Sequence, residues 1–360
     1  MRLHRRASAA AAALIVGAAL LALSGCASFG YYWQATSGHL AILNAARPVS
    51  DWLADPAAPQ PLKDRLSLAR DIRTFAAREL HLPDNASYRR YADLKRPAAV
   101  WNVVAAPVDS LTLETWCFPV TGCVGYRGYY ARADAQAEAD ALAARGLETA
   151  VYPVPAYSTL GWSNWMGGDP LLSTFIGYPE GELARIVFHE LAHQVVYAKD
   201  DTPFNESFAT AVEQIGGQRW LARPGADAAR AQYAEFDARR HQYKALLLAA
   251  RRELAAVYDD ASLTRDAKLA RKAAVLQALR LRYAGLKAEW GGFAGYDAAF
   301  ARTNNAMLGT QAAYDEFVPA FEALFEREGR DFTRFYAAVQ RLAEQPKDER
   351  RAALRQLAAP

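Results

Sequence analysis

The segment "IVFHELAHQVVY", residues 186–197, restricts the fold of this chain more than any other feature. It holds two of the six histidines, His189 and His193, four positions apart. That spacing is close to one helical turn, so both imidazoles lie on one face of a predicted helix. Two neutral imidazoles can bind a divalent metal such as Zn²⁺, and Glu190 between them is then placed as a general base toward water. The alternative is one more amphipathic helix without chemistry.

A third ligand must come from elsewhere, because a catalytic zinc ion usually takes three protein ligands. We favour Glu206 in "FNESFAT", thirteen residues after His193. Glu213, twenty residues after His193, competes for the role. If Glu206 is the ligand, we expect Glu213 to accept the other ring N–H of a ligand histidine, with Asn205 supporting the site beside it.

"HELAHQ" followed by "NESFA" resembles the gluzincin metallopeptidases, in which a second active-site helix carries a ligand Glu in an N-E-x-x-A setting. Asn205, Glu206 and Ala209 match that setting, whereas Thr210 stands where the thermolysin-type pattern has an Asp. The resemblance implies one zinc ion held by His189, His193 and Glu206, with Glu190 as the base.

The wider chain resembles bacterial lipoproteins described as predicted aminopeptidases. The similar segments are "GYRGYY", "PAYSTLGW", "DPLL", "FHELAHQ", "FNESFA" and "NNAMLGTQAAYDEFVPAF". The resemblance implies a metallopeptidase with a peptide or protein substrate. The G-x-M-E-N signature of the best-known gluzincin aminopeptidases is absent, so aminopeptidase and endopeptidase both stay open.

Three further residues are weaker candidates for the site. Tyr314 is our candidate for stabilising the oxyanion, with a buried core tyrosine as the alternative. His241 in "DARRHQYK" is expected to be solvated. Arg127 is either a carboxylate-binding residue or a turn residue that faces water. The stretch "AYSTLGW", residues 156–162, is either an edge strand that pairs with a peptide or an ordinary core strand.

The N-terminus predicts export. The basic "MRLHRR" and the apolar run after it are typical of a signal peptide, residues 1–25. "LSGC" resembles the lipobox of bacterial lipoproteins, which implies a lipid anchor at Cys26 and a place in the bacterial cell envelope, facing the periplasm. Ala27 and Ser28 favour the outer membrane over the inner one. The alternative is an ordinary signal peptide or a single membrane anchor with a chance cysteine.

Composition adds two expectations. Without residues 1–25, which contain three arginines, the chain has 39 basic and 39 acidic side chains, so nothing favours nucleic acid as a partner. Cys117 and Cys123 flank a short Pro- and Gly-containing loop, and in an oxidising periplasm we expect a disulfide between them.

The order of patterns predicts an α+β, predominantly helical fold. We expect a zincin-like core in which a small β-sheet packs above the active-site helix, together with a long helical hairpin. The predicted parts are a signal peptide (1–25), N-terminal helices, sheet and active-site helices (26–222), a hairpin arm (223–290) and a C-terminal helical part (291–360). In the last part, residues 304–342 are expected to form two helices. Two other functions stay open: a non-catalytic zincin-like scaffold or chaperone that binds through the arm, and a purely structural zinc site.

Overall fold

A computed structural model describes residues 30–118 and 121–358, with the side chains of residues 312–315 outside that description. The helices are α1 (residues 30–45), α2 (Val49–Ala54), α3 (Gln60–Glu79), α4 (Arg132–Ala144), α5 (Glu180–Ala192), α6 (Thr202–Leu221), α7 (Asp227–Asp259), α8 (Arg265–Glu289), α9 (Asp297–Ala301), α10 (Asn305–Asp315), α11 (Val318–Arg327), α12 (Phe332–Ala343) and α13 (Lys347–Leu357). The strands are β1 (Arg47–Pro48), β2 (Arg90–Ala92), β3 (Val100–Pro107), β4 (Trp116–Phe118), β5 (Gly122–Val124), β6 (Arg127–Tyr129), β7 (Leu147–Val154) and β8 (Leu171–Leu172). The predicted α+β, predominantly helical class is confirmed.

An antiparallel sheet in the order β6-β3-β7 stands next to the helical core. Successive side chains of β3 point to opposite faces, as a strand requires. Val103 and Ala105 pack with α4, whereas Val104 and Ala106 pack with Ala306 at the start of α10. Because β3 is apolar on both faces, the sheet is covered by helices on both sides.

Two smaller β units complete the strand structure. β1, β2 and β8 form a short sheet in which β2 pairs antiparallel with β1 and parallel with β8. β4 and β5 form a hairpin in which a disulfide joins Cys117 and Cys123. The hairpin is attached to the loop between α5 and α6, since the backbone N–H of Cys123 donates to the carboxylate of Asp200 at 2.6 Å.

Helices α5 and α6 pack side by side in the main core, and α6 also contacts α10 and α11. The close approach depends on Gly216 of α6, where an added Cβ would lie 2.9 Å from the ring of Phe188 and 2.6 Å from Leu80. α7 and α8 are long antiparallel neighbours with their own small apolar core, which includes Leu247, Leu254 and Leu279. Within the described residues, no helix is both long and apolar enough to cross a membrane.

Two stretches differ from the sequence-based expectation. The strand that includes "ETAVYPV" ends at Val154, and residues 156–162 form a loop and turns that lead into a short 3₁₀ helix, Asn164–Met166. The expectation of a strand there was wrong because the backbone N–H and side chain of Thr159 bond the buried Asp169 carboxylate, which holds the chain away from the sheet. The segment after Asn304, expected to form two helices, forms α10, α11 and α12.

Candidate metal centre

Helix α5 presents both histidines of the motif toward α6. It starts after Pro179, with Glu180 and Glu182 in the first turn, where acidic side chains favour the positive end of the helix dipole. The helix ends at Ala192, and His193 follows as its C-cap with helical backbone angles of φ −59° and ψ −21°. His193 therefore stays on the same face as His189, and the ring centroids are 4.8 Å apart.

Glu206 of α6 meets the two imidazoles. Its Oε2 atom lies 3.3 Å from Nε2 of His189 and 3.8 Å from Nε2 of His193. The two Nε2 atoms are 3.2 Å apart. One ligand atom from each of the three residues lies within 4.8 Å of the others, so the group could hold a metal ion.

Glu213 lies behind His189, two helical turns beyond Glu206 on the same face of α6. Its Oε2 accepts a hydrogen bond from Nδ1 of His189 at 3.2 Å, and its Oε1 forms an ion pair with the buried guanidinium of Arg185. Arg185 precedes His189 by one turn of α5, and Glu182 lies 3.7 Å from it. Thr210 stands where the thermolysin-type pattern has an Asp, and here Glu213 supplies the carboxylate that contacts His189. The sequence spacing alone had left open whether Glu213 is a metal ligand or the partner of a ligand.

The carboxylates set the proton on His189. Burial alone lowers the pKa of His189, but hydrogen bonds to Glu206 and Glu213 outweigh burial and raise it well above its usual value. Burial raises the pKa of Glu213, and the charge of Arg185 reverses this and lowers it to about 2. The two carboxylates on either side of His189 thus favour the protonated form of its imidazole.

For His193 and Glu190, burial decides the direction of the pKa shift, whereas for His189 and Glu213 neighbouring groups outweigh it. Burial lowers the pKa of His193 to about 4, which leaves its imidazole neutral, the form that binds metals. Burial raises the pKa of Glu190 to about 7. A carboxyl with a pKa near neutrality is suited to accept and return a proton at physiological pH.

Asn205 acts through the backbone. Its side-chain amide donates to the carbonyl of Ala198 at 2.8 Å, and its Oδ1 accepts from the Ala198 N–H at 2.7 Å. These bonds tie the start of α6 to the loop that follows His193. Asn205 thus supports the segment that joins the ligands, since both of these hydrogen bonds go to the Ala198 backbone and not to a ligand histidine.

The group lies in a cavity of about 750 Å³. The first residues of β3 and the last residue of β7 line it through Val100, Asn102 and Val154, so the sheet stands beside α5. Tyr126, between β5 and β6, also lines the cavity. Burial, followed by the charge of Glu206, raises its pKa well above 10, which keeps the hydroxyl neutral.

Of the other sequence-predicted residues, His241 and Arg127 are described and are not brought to the group. Tyr314 is in α10, which packs against α6, but its side chain lies outside the described residues. His241 is exposed on α7 and 3.4 Å from Asp237. Arg127 begins β6 and pairs with the carboxylate of Glu138 at 3.1 Å, so it is not a turn residue that faces water, and the carboxylate that it binds belongs to the protein itself. Cys26 also lies outside the described residues.

Sequence reasoning missed Arg185 and Tyr126. A signal for Arg185 existed, because a basic residue four positions before His189 falls on the metal-facing side of α5. Nothing in the local sequence distinguished Tyr126 from the other tyrosines of "GYRGYY", since its position depends on pairing between distant strands.

The family described as putative aminopeptidase matches residues 30–354, nearly the whole described chain. The chain belongs to this putative aminopeptidase family. No curated protein and no solved structure matches the chain. Membership in the aminopeptidase family confirms the expected family and agrees, at a coarse level, with a hydrolase that cleaves peptides.

Proposed function

We propose that this protein is a zinc-dependent peptidase in which His189, His193 and Glu206 hold the metal ion and Glu190 is the general base. The observation that carries the proposal is the convergence of two imidazole nitrogens and one carboxylate oxygen in the cavity that Glu190, a half-buried residue, also lines. Two nitrogens and one oxygen on neighbouring helices are a donor set that zinc accepts in catalytic sites, with a coordination place left for water or substrate.

A bound zinc ion would supply Lewis-acid activation of water and of the scissile carbonyl. Glu190 accepts the proton of the attacking water and returns it to the leaving amine. Glu213 orients His189, and Arg185 keeps Glu213 ionised. These roles support catalysis over a purely structural zinc site, because a structural site is usually closed by four protein ligands, whereas the described group offers three.

Glu190→Gln and Glu206→Ala separate catalysis from metal binding. Zinc per chain, kcat and KM are measured for both and for the control Glu235→Gln, which removes an exposed ion pair with Arg239. We expect Glu190→Gln to retain zinc and lose about 10²- to 10⁴-fold in kcat. Glu206→Ala should lose zinc. Unchanged zinc in Glu206→Ala would remove that residue from the ligand set.

We propose that the hydroxyl of Tyr126 donates a hydrogen bond to the oxygen of the scissile carbonyl as negative charge develops on that oxygen. Tyr126 lines the cavity, and its hydroxyl is neutral because burial and the nearby charge of Glu206 raise its pKa. Tyr126→Phe should lower kcat by about 10²- to 10³-fold with KM and zinc content unchanged. Tyr152→Phe is the matched control, because the Tyr152 hydroxyl also senses Glu206 but bonds Asn102. Equal effects in both variants would contradict the assignment.

We also propose that the peptidase is exported and anchored by lipid at Cys26, in the outer rather than the inner membrane. This rests on the basic and apolar residues 1–25 and the lipobox resemblance. Peptide substrates would then come from the periplasmic side.

A peptide library with free and blocked N-termini decides between aminopeptidase and endopeptidase activity. Cleavage only of peptides with free N-termini indicates an aminopeptidase, and cleavage of both kinds indicates an endopeptidase.

A further inference from the structure

One part of the cavity that holds the candidate metal centre is built from aromatic rings, here called the aromatic wall. The wall consists of Tyr31, Tyr32, Phe118, Tyr130 and Tyr157. These residues come from four separate segments: α1, β4, the residue that follows β6 and the loop after β7. Rings from such distant parts of the chain meet in one cavity only through the tertiary fold.

The rings of the wall pack in two groups. Tyr31 lies with its ring centroid 5.6 Å from that of Phe118 and 5.7 Å from that of Tyr32. Tyr130 and Tyr157 meet edge to face, with centroids 5.9 Å apart. α1 can lie against Tyr130 because Gly38 has no side chain there, and an added Cβ would collide with the ring.

The charged groups behind the wall are already engaged. The Arg127 guanidinium stacks 4.1 Å above the Tyr31 ring and pairs with Glu138. Arg96 donates to the backbone carbonyls of Tyr130 and Ala99. Neither arginine is among the described residues that line the cavity.

The carboxylates of the cavity also have partners or a role. Glu206 meets both ligand histidines, and Glu213 is paired with Arg185 and His189. Glu190 is the proposed base. The described lining contains no lysine or arginine. A charged substrate side chain that entered beside the wall would therefore lose hydration without gaining a counter-charge, which costs free energy.

We propose that the aromatic wall selects an uncharged aromatic or large apolar side chain close to the scissile bond of the peptide. The inference rests on the proposed peptidase function and deepens it by giving the substrate class. Aromatic side chains gain from edge-to-face and offset contacts with such rings in addition to the burial of apolar area. A cavity of about 750 Å³ accommodates one such side chain together with a short length of peptide backbone.

Tyr32 offers a clean test on α1. Its side chain lines the cavity, yet the residue is 45% exposed, so its replacement should not unfold the protein. Trp33 is the next residue, is 67% exposed, and is not among the described lining residues. Tyr32→Ala and Trp33→Ala thus remove neighbouring aromatic rings from the same helix, inside and outside the cavity.

The zinc-loaded full chain, in detergent, is assayed against peptides identical except for Phe, Leu, Ala, Glu or Lys at each position in turn. At one position next to the cleaved bond, kcat/KM should be at least about 10-fold higher for Phe or Leu than for Glu or Lys. Tyr32→Ala should lower kcat/KM for the Phe peptide about 2- to 10-fold, mainly through KM, and lower it by a smaller factor for the Ala peptide. Trp33→Ala should change neither.

Two results would overturn the substrate class: equal cleavage of charged and aromatic peptides, or equal effects of Tyr32→Ala and Trp33→Ala. Binding of the same peptides to Glu190→Gln, measured by calorimetry, separates this proposal from the proposed function. If no peptide is cleaved, the peptidase proposal fails. The wall is then supported by tighter binding of Phe peptides than of Glu peptides, and refuted by equal binding.

Discussion

Replacing Glu213 by Gln tests one of two contributions of this residue, its stabilising ion pair with Arg185. The other contribution is to metal binding, through its hydrogen bond with His189. The substitution leaves the Arg185 guanidinium, only 6% exposed, without its closest counter-ion. Breaking a buried ion pair by removing one partner costs about 3–5 kcal/mol. Glu182 remains 3.7 Å from Arg185, so we expect a loss of about 3 kcal/mol in the free energy of unfolding.

The double variant Arg185→Met/Glu213→Leu separates the contribution of Glu213 to stability from its contribution to metal binding. It replaces both charges by apolar groups of similar size, which is close to neutral for stability in comparable buried pairs. His189 nevertheless loses the acceptor at its Nδ1. Loss of such a partner weakens metal binding about 10- to 100-fold, equivalent to about 1.4–2.7 kcal/mol. The double variant should therefore be nearly as stable as the wild type and still bind zinc more weakly.

Urea unfolding is measured with a chelator present, since bound zinc would itself add to stability. Zinc affinity is measured by competition with a fluorescent chelator. Glu235→Gln, at an exposed ion pair on α7, should change stability by less than about 0.5 kcal/mol. Wild-type zinc affinity in the double variant would refute the role of Glu213 behind His189. Wild-type stability in Glu213→Gln would refute the ion-pair argument.

Three further predictions concern pH, the disulfide and the anchor. The pKa of Glu213 is lowered to about 2, so its contribution to stability is present above the unfolded value near 4.5 and is lost as pH falls toward 2. The range from about pH 5 to about pH 2 spans the unfolded and the folded pKa of Glu213. Over this range, urea unfolding should show a larger loss in the free energy of unfolding for the metal-free wild type than for Arg185→Met/Glu213→Leu. Replacing Cys117 and Cys123 by Ser should cost about 2 kcal/mol, as expected for a loop this short, and a reductant should destabilise only the wild type. Cys26→Ser should move the protein from the membrane to the soluble fraction and abolish incorporation of a labelled fatty acid; unchanged membrane association would contradict lipid anchoring at Cys26.

Much of the candidate site could be read from local sequence. The i, i+4 spacing of His189 and His193 places both rings on one helical face whatever the rest of the chain does. The candidate ligand Glu206 came from a short motif in the next helix. The expected strand at residues 156–162 was wrong because hydrogen bonds from Thr159 to Asp169, ten residues further along the chain, outweighed the local preference for β-structure.

Local periodicity by itself therefore determined the helical class, the face that carries the imidazoles and the acid placed between them, because these depend on neighbours within one or two turns. Only the tertiary structure decided which acid of α6 faces the histidines and which one lies behind them, since that depends on how closely α5 and α6 approach at Gly216. The same holds for the aromatic wall and for Tyr126, whose positions follow from strand pairing and helix packing. Such contacts join residues far apart in the chain, and no short stretch of sequence encodes them.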